Sequence, residues 1–187
     1  MRKELSERLS TYRAVNDITL KGEIVVFGST FMANFPFYEL SQKYLMHNAV
    51  YNRSIEDLTL AEAEEILSES VLEVKPAKVF LSLGEKDLGD PAALPAYHRI
   101  VRKITAKLPN AKLYLLPVQA SENTENEGDR SAFNENLRQL AERTGAVYLD
   151  LPEQLKGENL YKKVFKRLNC FFHGSKLSFS EAFSYAD

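Results

Sequence analysis

Apolar and polar positions alternate along the chain in two periods. Short apolar runs rich in β-branched residues recur at Ile24 to Phe27, Ala49 to Arg53, Lys78 to Gly84, Lys112 to Val118 and Ala146 to Leu151. Runs of this length and composition predict strands, and Gly28 and Gly84 close two of them. Between them lie longer stretches with apolar residues at helical spacing. Leu58 to Val74, Pro95 to Pro109 and Arg130 to Gly145 predict helices, the second stopped by Pro109 and Asn110 and the third by Gly145 as a cap. A further helix, Lys3 to about Val15, precedes the first strand as a cover. Strands alternating with helices of this length imply a parallel sheet covered on both faces. Right-handed crossovers then give an α/β protein, a doubly wound three-layer α/β/α sandwich with a five-stranded parallel sheet. The expected organisation is a single domain over residues 1–187.

In such a sheet a ligand site lies beyond the carboxyl ends of the strands. This directs attention to Ser29 and Thr30, Ser54 to Asp57, Glu85 to Asp87, and Gln119 to Asn126. The first of these stretches presents two hydroxyls directly after a buried strand and a glycine. Ala120 to Asp129 is a polar loop placed to border the site. The aromatics of "FMANFPFYEL" and "CFFHG" are core by default, with some available to line a cleft.

Composition narrows the chemistry. The chain has 187 residues, 44% hydrophobic and 27% charged, the balance of an ordinary globular protein. The net charge of −2 offers no electrostatic footprint for nucleic acid. A single cysteine, Cys170, excludes an internal disulfide. His47, His98 and His173 are scattered, and no metal-ligand spacing occurs. The segment "MRKELSERLSTYR" is charged and lacks the apolar core of a signal peptide. No apolar run approaches the roughly 20 residues that span a bilayer. These features predict a cytoplasmic protein without cofactor or metal. Cys170, within the apolar run "NCFF", is expected to be buried and inert.

Four blocks in order resemble the SGNH (GDSL-type) hydrolases, a family of flavodoxin-like esterases and acylhydrolases. "VVFGSTF" is similar to the strand followed by Gly-Asp-Ser. "VYNRSIEDLT" is similar to Asn-Arg-Gly-x-x-Gly-x-Thr. "KVFLSLGEKDLG" is similar to an apolar strand with Gly-x-Asn-Asp-x-Gly, and "HGSKLS" to Asp-Gly-x-His-Leu-Ser. The resemblance implies the flavodoxin-like sandwich. It also implies an attacking serine, an oxyanion hole built from the nucleophile's amide, a glycine amide and an asparagine, and a histidine base oriented by an aspartate. Gly28, Asn52, Arg53, Thr59, Gly84, Asp87, Gly89, Leu177 and Ser178 keep the pattern.

The departures fall on the reacting positions. Thr30 stands for the serine and Ser29 for the preceding aspartate. Asp57 stands for the oxyanion glycine and Lys86 for the asparagine. His173 and Lys176 stand for the orienting aspartate and the base. A threonine keeps the hydroxyl, but its β-branch restricts χ1 and crowds the attack. Lys176 is protonated at neutral pH unless burial or a second cation lowers its pKa, and an ammonium cannot accept a proton. Lys86 either stabilises an oxyanion or pairs with Asp57 or Asp87. Asp57 brings a repelling carboxylate, or serves as an ordinary loop acid or cap of the following helix. A second register makes His173 itself the base, with Cys170 in the acid's place and no carboxylate behind it. Ser29 is an alternative nucleophile if the turn is shifted by one residue; otherwise its hydroxyl bonds the loop.

Three functions are compatible with these residues. The first is a hydrolase scaffold without normal esterase activity, with Lys86, Lys176 and His173 favouring a small anionic or acyl ligand. The second is an active esterase or acylhydrolase with a rearranged centre, Thr30 or Ser29 attacking and His173 or Lys176 as base. The third is a non-catalytic interaction domain, because a fold does not fix its chemistry.

Overall fold

In a computed structural model, the residues described here are 2–43, 48–119, 127–151 and 160–173. Helix α1 (Lys3–Asn16) leads into strand β1 (Ile24–Gly28). Two short helices follow, α2 (Thr30–Ala33) and α3 (Phe37–Lys43), then the edge strand β2 (Val50–Asn52). Helix α4 (Leu60–Glu65) and a π-helical turn (Ser68–Leu72) precede β3 (Lys78–Ser82). Helix α5 (Ala93–Lys107), β4 (Lys112–Leu115), α6 (Glu127–Thr144), β5 (Val147–Tyr148) and α7 (Leu160–Phe172) complete the order. The five strands are all parallel in the order β2-β1-β3-β4-β5. This is the flavodoxin-like arrangement, with helices on both faces.

Why the strands read as unbroken apolar runs is clear from their alternation. Val25 and Phe27 of β1, with Val79 and Leu81 of β3, enter a core shared with α1, α4, α5 and α6. Ile24 and Val26, with Phe80, enter a second core with Met32, Phe35 and α7. Both faces of the central strands are therefore buried, and each residue type has an apolar destination. The register pairs Ile24 with Lys78 and Gly28 with Ser82, so β1 and β3 end level. At that end a Cβ on Gly28 would stand 2.7 Å from the Ser82 carbonyl, which accounts for the glycine.

The predicted helix from Leu58 to Val74 is divided in two. It starts at Leu60 because Thr59 caps it: the Thr59 side chain accepts from the Glu62 amide and Glu62 returns to the Thr59 amide. Asp57 is therefore not the cap. The α-helix ends at Glu65, and the backbone leaves helical geometry at Ile66 before the π-helical turn. Helix α7 has no counterpart in the expected elements. It presents Val164, Phe165, Leu168 and Phe172 to the sheet. Cys170 falls on its opposite face and is exposed, contrary to the expectation of a buried thiol. Among the described residues no helix is long and apolar enough to cross a membrane.

Candidate functional site

The end of β1 places two hydroxyls differently. The Ser29 amide donates to the Ser82 carbonyl at 2.9 Å and extends the sheet by one residue. Its side chain is fully buried, and its Oγ has no hydrogen-bond partner, so the expected bond to the loop is not made. Thr30 opens α2 and is partly exposed. Of the two, Thr30 is the hydroxyl that a substrate can reach.

The loop after β2 comes to Thr30. Asn52 anchors it, donating to the Met32 carbonyl at 2.8 Å and accepting from the Ser54 amide at 3.1 Å. Five residues on, Asp57 adopts a left-handed φ of +53°. In that conformation its amide donates to Thr30 Oγ1 at 3.0 Å, and its carboxylate Oδ1 lies 3.5 Å from the same hydroxyl. Arg2 holds the loop from outside. Its Nη2 donates to the Glu56 and Asp57 carbonyls at 3.3 and 3.1 Å, and its Nε to Glu62 at 2.8 Å.

The loop after β3 supplies the remaining groups. Lys86 Nζ lies 3.1 Å from Asp57 Oδ1, with both side chains about half exposed. The hydrogen bond from Lys86 is the main reason the Asp57 carboxyl is held below its ordinary range. Asp87 turns away and accepts from the Leu60 amide at 3.1 Å, completing the start of α4. Lys86 therefore pairs with Asp57 and leaves Asp87 to the helix.

Glu85 lies in the stretch after β3 to which the sequence directed attention, but no role was assigned to it. Its carboxyl accepts the Phe31 amide through both oxygens, at 3.3 and 3.2 Å, one residue beyond Thr30. Burial pushes its pKa up from 4.5 to about 7, aided by the Asp57 charge and opposed by the amide bond and Lys86. Gly84 sets this direction. Its φ is +103°, and a Cβ there would meet the Phe133 ring at 2.6 Å. The motif pattern treats the position after Gly84 as variable, so only its location directly after a buried strand hinted at Glu85.

Of the last block, only His173 lies among the described residues. His173 follows α7, which runs antiparallel to the strands. Lys78, the first residue of β3, donates to the Phe171 and His173 carbonyls at 2.8 and 2.7 Å. His173 therefore lies at the amino ends of the strands, while Thr30 lies beyond their carboxyl ends. A five-residue strand separates these levels by about 13 Å. This placement corrects the expectation of His173 as a base near Thr30. Lys176 and residues 120–126 of the polar loop lie outside the described residues. Among the described residues no cluster of His, Cys, Asp and Glu is arranged to hold a metal.

The family model of GDSL-like lipases and acylhydrolases matches residues 28–169. The chain belongs to this family. The matched span contains Thr30, Asp57, Glu85 and Lys86 and ends before His173 and Lys176. No curated protein sequence matches the chain. Among solved structures, a provisionally named platelet activating factor from Streptococcus pneumonia superposes with a TM-score of 0.76 at 19% identity, over 91% of this chain and 94% of that one. A GDSL-like lipase from Bacteroides thetaiotaomicron gives 0.67 at 12% identity, over 88% and 96%. A catalytic mutant of an acetylxylan esterase from Geobacillus stearothermophilus gives 0.62 at 14% identity, over 83% and 96%. At these identities the likeness concerns the fold, which is the SGNH hydrolase sandwich.

Proposed function

We propose that this GDSL-family scaffold does not carry out ordinary ester hydrolysis at Thr30. The observation that carries this reading is Asp57: one residue gives its amide to Thr30 Oγ1 and its carboxylate to Lys86. An oxyanion needs free donors aimed at the carbonyl oxygen, and here the amide at the family's glycine position is directed to the hydroxyl instead. A nucleophilic hydroxyl also needs a base of suitable pKa. Asp57, held low by Lys86, is a weak one. Lys86 is the cation that supports the expected small anionic ligand, which would have to displace Asp57 from it. The assay is hydrolysis of a short-chain aryl ester between about pH 6 and 10. The expected result is no turnover above the uncatalysed rate, with Thr30→Ala indistinguishable from the parent.

A second reading rests on Glu85. A carboxyl beside the hydroxyl-bearing turn that titrates near neutrality suits a general base. In that reading Thr30 attacks and Glu85, rather than His173, accepts the proton. Turnover that rises as pH passes 7 and disappears in both Thr30→Ala and Glu85→Gln would establish it in place of the first.

A further inference from the structure

A groove of about 430 Å³ runs between α1 and the edge strand β2. The alternation of β2 separates it from the Thr30 cluster. Asn52 points to the Met32 side of the sheet, while Tyr51 and Arg53 point to α1. Thr11, Tyr12, Ile18, Thr19, Tyr51 and Arg53 line the groove. Ile18 and Leu20, from the turn after α1, are 81% and 62% exposed. The Leu20 amide donates to the Tyr51 hydroxyl at 2.8 Å, which fixes that ring.

Arg53 is the unusual group. It is only 4% exposed, yet no carboxylate pairs with it among the described residues. Its Nη1 is buried without a hydrogen-bond partner. The guanidinium instead lies over the Tyr12 ring, 4.3 Å from the centroid, with the Tyr51 ring at 6.0 Å. A ring face offsets only part of the cost of burying a charge. Lys21 stands close enough for its charge to act on Arg53. It gives its ammonium to the carbonyls of Asn16 and Glu73, at 2.7 and 3.0 Å. Asp17 and Glu73 are the acidic groups that act on Lys21, and neither makes an ion pair with it. Arg53 thus lines a groove whose other wall is mostly aromatic and aliphatic, with Thr11, Thr19 and Asn52 as its polar members, and Lys21 adds positive charge nearby.

We propose that this groove binds a small amphipathic anion, whose carboxylate or phosphate head pairs with Arg53 and whose short apolar body lies along Tyr12, Val15 and Ile18. The head supplies the counter-charge that Arg53 lacks. The two tyrosine rings and the exposed Ile18 bury the apolar part, the combination found in ligand clefts. Neither Thr30 nor Lys86 takes part.

Binding is measured by calorimetry and thermal shift on the full chain, with octanoate, octyl phosphate, inorganic phosphate and octanol as probes below their self-association concentrations. Saturable binding of octanoate or octyl phosphate, absent for octanol, is expected. The stronger of the two identifies the head group, and inorganic phosphate alone reports how much the apolar body adds. Arg53→Met weakens binding at least tenfold, and Ile18→Glu, an exposed change that leaves the fold intact, weakens it several-fold. Lys86→Met leaves it unchanged. The proposal is overturned if neither amphiphile binds, if octanol binds equally well, if binding survives Ile18→Glu, or if it depends on Lys86. Should Arg53→Met fail to fold, Ile18→Glu decides.

Discussion

Lys86 and Arg53 both follow strands at the carboxyl end of the sheet, and their circumstances are reversed. Lys86 is about half exposed and has the Asp57 carboxylate 3.1 Å away. Arg53 is buried, with two tyrosine rings and, among the described residues, no carboxylate. Water already solvates an exposed ammonium, so its ion pair is worth about 0–1 kcal/mol. A buried cation without a counter-charge costs several kcal/mol in the ordinary case. The fold thus neutralises the cation whose charge matters little to stability and leaves unpaired the one whose charge matters most. Charges around Thr30 are spent on one another, whereas the charge on Arg53 remains available to something outside the chain.

The sharpest way to disturb the Thr30 side of this comparison is Gly84→Ala. The new Cβ lies 2.6 Å from the Phe133 ring, and the backbone holds φ at +103°. Strain and overpacking together cost about 3 kcal/mol or more. Denaturant titration measures this. A loss under about 1 kcal/mol would mean that the loop carrying Glu85 and Lys86 is free to move, and the pairing of Lys86 would cease to be a fixed property.

A smaller effect follows from Glu85. Its folded pKa, about 7, lies above the usual 4.5. Between these values the folded state holds more protons than the unfolded state, so stability falls as pH rises through that window. The stabilisation is complete below about pH 4.5 and gone once pH passes about 7, a change of at most about 3 kcal/mol. Glu85→Gln removes that component of the pH profile in thermal or denaturant unfolding. An unchanged profile would place the titrating group elsewhere and withdraw the second reading of the site.

What could be read in the residues, and what could not, divides along the same line. The sheet was legible because its strands are buried on both faces, so "IVVF" and "KVFLS" had to be apolar throughout. The motif blocks pointed to the family, and the match over residues 28–169 takes in the second and third, overlaps the first and ends before the fourth. The residues after β1, β2 and β3 were correctly directed to one place, because strand ends in a parallel sheet converge. His173 was misplaced because helix α7 was not recognised, and its length carries the following residue to the other end of the strands. Glu85 was noted only for its place after β3 and given no role, because its raised pKa comes from burial, which a motif does not encode. Arg53 was counted only among the residues that keep the family pattern. Its lack of a partner is a three-dimensional fact, decided by Tyr12 from a helix far away in sequence.

The finest test replaces each cation with methionine in the ligand-free protein. Lys86→Met removes an exposed pair and lowers stability by no more than about 0.5 kcal/mol, an effect that fades as salt is added. Arg53→Met removes a buried charge and supplies an apolar chain of similar length. The lost contacts with Tyr12 and Tyr51 oppose the relieved desolvation, so stability changes by less than about 1 kcal/mol in either direction and does not respond to salt. Equilibrium unfolding at low and high ionic strength distinguishes the two. A loss of several kcal/mol on replacing Arg53 would make the guanidinium a structural brace of α1 against the sheet. Near-neutrality has the opposite meaning, since a buried charge that the fold does not need for its own stability is one whose use lies in what it binds.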